Sequence, residues 1–152
     1  IGLALKYGEE YLGIMMIGLI PFALGGLLQW ILSLNNLLLA PAVLIVISLV
    51  TLLIWGVLAY LIKPYIKSTT KVMLGMHVIP LLVLLLHGIQ GPVLHQYWPN
   101  FLGLLTQIYY LPLVRIGSLL TSWMGTSMFL ICLVSFLLMV GVSFAGCKLN
   151  KK

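Results

Sequence analysis

Four long apolar runs dominate this 152-residue chain, and none of them contains an aspartate or a glutamate. A helix needs roughly 20 apolar residues to cross a bilayer core of about 30 Å, and the runs are close to or above that length. Hydrophobic residues make up 62% of the chain and charged residues 7%. Soluble domains carry about 25% charged residues. The sequence therefore predicts an all-α integral membrane protein.

The runs predict four transmembrane helices over residues 11–34, 37–62, 72–89 and 116–146, arranged as two antiparallel hairpins. Lys63-Pro64 ends the second helix, because proline lacks a backbone donor and disfavours helix at the residue before it. No segment outside the runs is large enough to fold alone. Residues 1–152 are therefore predicted to form a single four-helix transmembrane domain.

The cations predict the orientation of the chain. If both termini are cytoplasmic, seven lysines lie on the cytoplasmic side and Arg115 alone lies outside, as the positive-inside rule requires. These lysines are Lys6, Lys63, Lys67, Lys71, Lys148, Lys151 and Lys152. Because the cations flank the apolar runs, the net charge of +6 indicates contact with lipid headgroups and no nucleic-acid partner. Lysine outnumbers arginine by seven to one and isoleucine is abundant, which is typical of proteins from AT-rich genomes. The predicted location is therefore the plasma membrane of a bacterium with such a genome.

The segment between the third and fourth runs is rich in proline and aromatic residues. Residues 99–112 predict a short amphipathic helix in the outer headgroup region, where Trp and Tyr are favoured. Its expected outer surface comprises Trp98, Phe101, Tyr109 and Tyr110. This helix either simply connects the third and fourth helices or forms a lid or docking surface beside a lateral opening.

Two prolines interrupt predicted transmembrane helices. Pro21 and Pro80 each remove a backbone hydrogen bond and free the carbonyl four residues earlier, those of Ile17 and Met76. Carbonyls freed in lipid need another partner, such as a neighbouring helix, a hydroxyl or water. The prolines are therefore interpreted either as packing kinks or as hinges that line a polar cavity.

His77 and His87 both lie on the third predicted helix, ten residues and about 15 Å apart, so they cannot share one metal ion. An ionisable side chain within a span is a functional hypothesis by default. A neutral imidazole also serves as a hydrogen-bonded contact between helices. Each histidine is therefore either a functional group or a structural contact between helices.

The fourth run carries small and hydroxylated residues at helical spacing. Such a face lets another helix approach closely, and Gly141 and Ala145 extend it toward the cytoplasmic end. The expected packing partner is either another helix of this chain or another protein, and a hydrophilic pathway is the alternative. The predicted face comprises Gly117, Ser118, Thr121, Ser122, Gly125 and Thr126.

Several activities are excluded by missing residues. The chain has no Asp, so the paired aspartates of lipoprotein signal peptidases are missing, and Cys132 and Cys147 form no CxxC pair. Glu9 and Glu10 precede the first run, so no carboxylate relay is expected through the spans. No nucleophile and base set is visible, so no enzymatic activity, metal or cofactor is predicted.

The leading hypothesis is a non-catalytic membrane subunit that packs against partner membrane proteins, as an accessory component of a transport, export or respiratory complex. Its expected partners are the lipid bilayer and other membrane subunits or further copies of itself. The alternative is a small homo-oligomeric transporter, channel or immunity-type protein that uses the Pro21 and Pro80 kinks and His77. A haem- or quinone-binding membrane anchor is a remote alternative.

Overall fold

The computed structural model describes residues 2–35, 40–125 and 127–150, and within these ranges the secondary structure is helical, with no strand. We number seven α-helices in chain order. They are α1 (Gly2–Ile17), α2 (Ile20–Asn35), α3 (Pro41–Ile62), α4 (Thr69–Gly88), α5 (Phe101–Tyr109), α6 (Val114–Thr121) and α7 (Met128–Leu149). A π-helical turn, Ile89–Val93, extends α4, and a 3-10 turn, Leu111–Leu113, joins α5 to α6.

The prediction of four apolar helices of membrane-spanning length is confirmed. The helical stretches that meet this length and hydropathy are Tyr11–Leu34, Pro41–Ile62, Thr69–Val93 and Met128–Leu149. Two of them begin at residues suited to helix starts. Pro41 occupies the first turn of α3, where its missing N–H needs no partner, and the Ser68 hydroxyl accepts from the Lys71 N–H at the start of α4.

The first and fourth predicted helices are each interrupted. The chain turns at Gly18 and Leu19, just before Pro21, so the first span consists of α1 and α2. Instead of one helix over residues 116–146, the structure contains α6 and α7. Gly125 lies between them with a φ of 98°, a left-handed conformation that ends helices and favours glycine. The break coincides with a polar and small stretch, since residues 121–127 contain two threonines, two serines and Gly125. The prediction of one long helix overlooked this local fall in hydropathy.

Helix α4 lies at the centre of the long helices and packs against α1, α3 and α7. We call the end of the bundle that holds Pro41, Val93 and Met128 the upper end, and the end that holds Ile62, Thr69 and Leu149 the lower end. Helices α3 and α7 run in the same direction and approach closely, since a Cβ on Gly146 would overlap the Gly56 carbonyl. Buried side chains from all four spans form one core cluster.

Helices α5 and α6 form a short hairpin that enters the bundle from the upper end and turns back. Successive residues of the descending arm meet α4 at progressively lower positions: Trp98 contacts Gln90, Thr106 contacts His87, and Tyr110 contacts Pro80. The ascending arm packs against α3 and α7. At the tip, the Pro112 carbonyl meets Ser48, which lies seven residues and about 10 Å into α3 from Pro41.

This hairpin differs from the predicted interfacial helix over residues 99–112. Asn100 caps α5 as a helix start, its side chain accepting from the Gly103 N–H at 2.9 Å, but α5 does not lie flat across the bundle end. Gly103, Thr106 and Tyr109 are buried on one face of α5. The small and polar residues of this face therefore point into the protein. An interfacial helix would have turned its apolar side chains inward and its polar ones toward water.

Candidate functional site

The tip of the α5–α6 hairpin is held by two adjacent tyrosine hydroxyls. Tyr109 donates to the Gly18 carbonyl at 2.8 Å, and Tyr110 donates to the Pro80 carbonyl at 2.7 Å. Both side chains are almost fully buried, with 1% and 0% of their surface exposed. Tyr109 also packs edge-on against Phe22, with ring centroids 4.6 Å apart. Tyr109 and Tyr110 were predicted to form part of an outer interfacial surface, and this prediction is wrong.

Serines of the long helices lie beside two carbonyls at the tip. The Ser48 hydroxyl contacts the Pro112 carbonyl at 2.7 Å and also lies 3.0 Å from the Leu44 carbonyl. The Ser135 hydroxyl lies 3.5 Å from the Leu113 carbonyl and 2.8 Å from that of Ile131. Irregular backbone away from water requires partners of this kind. Polar contacts therefore join the hairpin tip to the turn between α1 and α2 and to α3, α4 and α7.

The other two members of the predicted outer surface do not join this cluster. Trp98 is half-buried, and its backbone N–H donates to the Gln90 side chain at 3.1 Å. Phe101 is 74% exposed at the start of α5. The four aromatic residues are thus divided between an upper pair, of which Phe101 is exposed and Trp98 half-buried, and a buried lower pair, so they form no common surface.

The two prolines have different effects on their helices. The helix is broken just before Pro21, and the Gly18 carbonyl there accepts a hydrogen bond from the Tyr109 hydroxyl. The carbonyl predicted to be free was that of Ile17, one residue earlier. Pro80 lies inside α4, which continues without a break. Both prolines are buried, and the hairpin tyrosines contact the chain beside each of them. This arrangement supports the packing interpretation of the prolines.

His77 joins three of the long helices. Its Nδ1 lies 2.8 Å from the Met73 carbonyl, so the proton is assigned to Nδ1, and Nε2 accepts from the Trp55 indole at 3.4 Å. The rings of Trp55 and Phe136 flank the imidazole edge-on. The Ser143 hydroxyl is also 3.4 Å from Nε2, but it lies 2.6 Å from the Met139 carbonyl. A hydroxyl directed at a carbonyl is not activated as a nucleophile.

His87 belongs to a second polar network that links α4 to the hairpin. Its Nε2 donates to the Thr106 carbonyl at 2.7 Å, and its Nδ1 is buried with no hydrogen-bond partner among the described residues. The Gln90 amide donates to the Thr106 hydroxyl at 3.1 Å, and that hydroxyl donates to the Gly103 carbonyl at 2.8 Å. His77 and His87 are thus the centres of two separate networks.

Sequence reasoning missed Gln90 and Thr106. Neither residue was among the predicted positions, yet both are almost fully buried. Gly103 and Thr106 lie three residues apart on α5, so a small residue and a hydroxyl share one face of a largely apolar helix. This pattern is the sequence signal for a closely packed face. Neither residue is close to a set of metal ligands: no group of three His, Cys, Asp or Glu side chains suited to a metal occurs among the described residues.

The predicted small-residue face is used largely within the chain. A Cβ on Gly117 would lie 2.8 Å from the Ser135 hydroxyl and 2.9 Å from the Ile131 carbonyl, so α6 approaches the α7 backbone closely. Thr121 is buried beside it and Ser118 is half-buried, whereas Ser122 and Gly125 are exposed. Thr126 lies outside the described residues. The stripe is therefore divided by the break after α6, and its buried part packs α6 against α7.

Several clefts open on the surface of the described residues, and three of them bear on the candidate positions. One of about 360 Å³ lies between α2 and the hairpin and is lined by Gln29, Tyr97 and Gln107 among apolar residues. Burial raises the pKa of the Tyr97 phenol above its ordinary value, and the nearby Cys132 thiol adds to this shift. A second cleft of about 270 Å³ contains Arg115, and an apolar groove of about 460 Å³ follows α3 and α7 toward the lower end.

Comparison with known proteins identifies no relative: the sequence matches no protein-family model, and no curated protein or solved structure is significantly similar to it. The geometry of this chain therefore carries the evidence on its function.

Proposed function

We propose that this chain is a multi-pass protein of a bacterial plasma membrane, with both termini cytoplasmic, that serves as a non-catalytic subunit of a larger membrane assembly. Its four helices of spanning length and the excess of lysine at the lower end support the membrane placement. In this placement the α5–α6 hairpin enters the membrane from the outer surface. The polar contacts at its tip meet the demand of the bilayer for satisfied backbone groups.

The observation that carries the proposed subunit role is a small-residue face that the chain's own described helices leave open. Gly141 and Ala145 lie one turn apart on α7, both exposed, and a Cβ on Gly141 would have no other atom within 4 Å. Ala145 also lines the apolar groove between α3 and α7. Small residues at this spacing let a second helix approach the backbone closely in lipid.

A transmembrane helix of a partner protein is the proposed occupant of this face. The groove beside it is lined along α3 from Leu49 to Tyr60, eleven residues or about 16 Å, which suits the length of a packed helix better than a short loop. The equivalent close approach inside the chain, between Gly56 and Gly146, uses the same kind of residue. The Gly141 face repeats this feature on the outside of α7.

Gly141→Leu tests the proposal, with Gly13→Leu as its matched control. Gly13 is also exposed in a helix, and a Cβ there would likewise have no other atom within 4 Å, so both variants add the same side chain into open space. We expect affinity purification from membranes in mild detergent to recover a partner membrane protein with the unmodified chain and with Gly13→Leu. Gly141→Leu should reduce that recovery at least tenfold.

Equal recovery of the partner with both variants would contradict the proposed face. Purification of a monomer with no partner would contradict the subunit role itself. Recovery of further copies of this chain alone would replace it with the homo-oligomeric alternative, a small transporter, channel or immunity-type protein.

The geometry gives that alternative less support than the subunit role. Both ring nitrogens of His77 have partners within the bundle, and Pro21 and Pro80 are buried beside the hairpin tyrosines. A haem- or quinone-binding anchor is also less favoured, since His77 and His87 lie on one helix and belong to separate networks.

A further inference from the structure

Arg115 lies in an otherwise largely apolar cleft that is walled by α2, α3 and the α6 arm of the hairpin. The cleft has a volume of about 270 Å³, and its apolar wall includes Leu28 and Leu32 from α2 and Leu44 from α3. Arg115 itself is half-buried at the start of α6. A charged guanidinium beside leucines is unusual, because a cation in an apolar setting is stable only when it is paired or reaches water.

Arg115 forms no ion pair with any residue that the structure describes. The Arg115 Nε is buried and has no hydrogen-bond partner among the described residues. The two carboxylates of the whole sequence belong to Glu9 and Glu10, about twenty residues, or about 30 Å of helix, before Leu28 and Leu32. Ser118 also lines the cleft, but its hydroxyl donates to the Arg115 carbonyl at 2.9 Å. Its proton is therefore not available to an anion in the cleft.

In the membrane placement given under Proposed function, the cleft begins near the boundary between lipid headgroups and acyl chains. Leu44 lies three residues after the start of α3 at Pro41, and Leu32 lies three residues before the end of α2 at Asn35. Both therefore lie about 5 Å from the upper end of the long helices. The long side chain of arginine extends readily toward such a boundary while its stem stays among apolar groups.

We propose that this cleft binds one phospholipid from the adjacent leaflet. The Arg115 guanidinium donates to the phosphodiester oxygens, and an acyl chain lies against Leu28 and Leu44. Guanidinium groups recognise phosphate through paired, charge-assisted hydrogen bonds. The inference rests on the membrane placement given under Proposed function, but it requires neither a partner protein nor a particular orientation of the chain.

Lipid binding to the purified full-length chain tests this inference by native mass spectrometry in detergent. The probes are dioleoylphosphatidylglycerol and dioleoylglycerol, which share acyl chains and differ in the phosphodiester. We expect one phosphatidylglycerol to bind the unmodified chain at least tenfold more tightly than dioleoylglycerol. Arg115→Gln should weaken phosphatidylglycerol binding about tenfold, as expected for loss of a charge-assisted hydrogen bond. Arg115→Lys should retain part of it, and the lower-end control Lys67→Gln should retain all of it.

Leu44→Trp provides a second variant that keeps the charge and fills the cleft, and it should weaken phosphatidylglycerol binding to a similar extent. It decides the question if Arg115→Gln fails to fold. Unchanged binding in Leu44→Trp, or in a folded Arg115→Gln, would overturn the proposal, as would equal binding of dioleoylglycerol. Displacement of the lipid by millimolar inorganic phosphate would assign the cleft to a free anion instead.

The result is separable from the proposed subunit role. Arg115→Gln should still recover the partner that Gly141→Leu loses, and it should remain in the membrane fraction after alkaline extraction. Release of the unmodified chain by alkaline extraction would instead remove the membrane placement on which both proposals depend.

Discussion

At the residue scale, the side chains that organise this molecule are hydroxyls and amides that join distant backbone segments. Tyr109 and Gly18 are 91 residues apart in the sequence, and Ser48 and Pro112 are 64 apart. Each of these contacts satisfies a buried carbonyl that the local helix leaves without its full complement of donors. The sequence shows which side chains can donate a hydrogen bond. It does not show which distant carbonyl accepts it, because that depends on how segments 64 or 91 residues apart pack together.

Tyr109→Phe tests the importance of one such hydroxyl. The ring remains in place against Phe22, but the buried Gly18 carbonyl loses its donor, so we expect the free energy of unfolding to fall by about 1–3 kcal/mol. Reversible unfolding in mixed micelles measures the change. Tyr65→Phe is the control, because Tyr65 is 86% exposed, and its effect should stay within about 0.5 kcal/mol. Equal effects of the two variants would show that the hydroxyl contributes nothing measurable.

At the scale of helices, the hairpin of α5 and α6 is the element that hydropathy describes least well. Its two arms are too short to cross a bilayer, and its inward face carries Gly103 and Thr106, which make close backbone approach and hydrogen bonding possible. Helix α5 approaches α2 so closely that a Cβ on Gly25 would overlap the Ile108 carbonyl. The hairpin position therefore depends on small residues in a neighbouring helix.

Gly25→Leu should displace the hairpin, whereas the adjacent Gly26→Leu should not, because a Cβ on Gly26 would have no other atom within 4 Å. Overpacking at the first position is expected to cost about 1–3 kcal/mol of stability. The fully buried Cys132 belongs to the same core cluster as Tyr110 and serves as the reporter. In a Cys147→Ala background, we expect N-ethylmaleimide to label Cys132 at least fivefold faster in Gly25→Leu. Identical labelling rates in the two glycine variants would contradict the proposed close packing.

At the scale of the whole molecule, charge is arranged along the bundle axis. Among the lysines whose side chains the structure describes, Lys63, Lys67, Lys71 and Lys148 all lie at or near the lower end, and Arg115 lies near the upper end. If the lower end is cytoplasmic, this arrangement also places the opening of the hairpin and the Arg115 cleft at the outer leaflet. The orientation of the chain thus decides which leaflet supplies the lipid.

Cysteine labelling of intact cells tests this orientation. In a chain with Cys132 and Cys147 replaced by alanine, Gln96→Cys reports on the upper end and Ser68→Cys on the lower end. We expect a membrane-impermeant maleimide to label Gln96→Cys in intact cells and Ser68→Cys only after permeabilisation, because the lysine-rich end is predicted to be cytoplasmic. The reverse pattern would invert the orientation while leaving the fold unchanged.

Length and hydropathy are sufficient to predict four apolar helices in this chain, because twenty consecutive apolar residues satisfy their own backbone groups only as a helix. The residue types alone also identified Pro21, Pro80, His77 and His87 as positions that need an explanation. These features depend on local composition, so a single sequence is sufficient to reveal them.

Only the packed structure shows where the inward-facing polar groups go. A tyrosine serves equally well at a membrane surface and in a buried hydrogen bond, so composition could not distinguish the two for Tyr109 and Tyr110. The Gly117 stripe was equally compatible with an internal helix and an external one, and the break at Gly125 turned part of it against α7. The physical reason is that a buried polar group is stabilised by a specific partner, and the identity of that partner is a property of the tertiary fold.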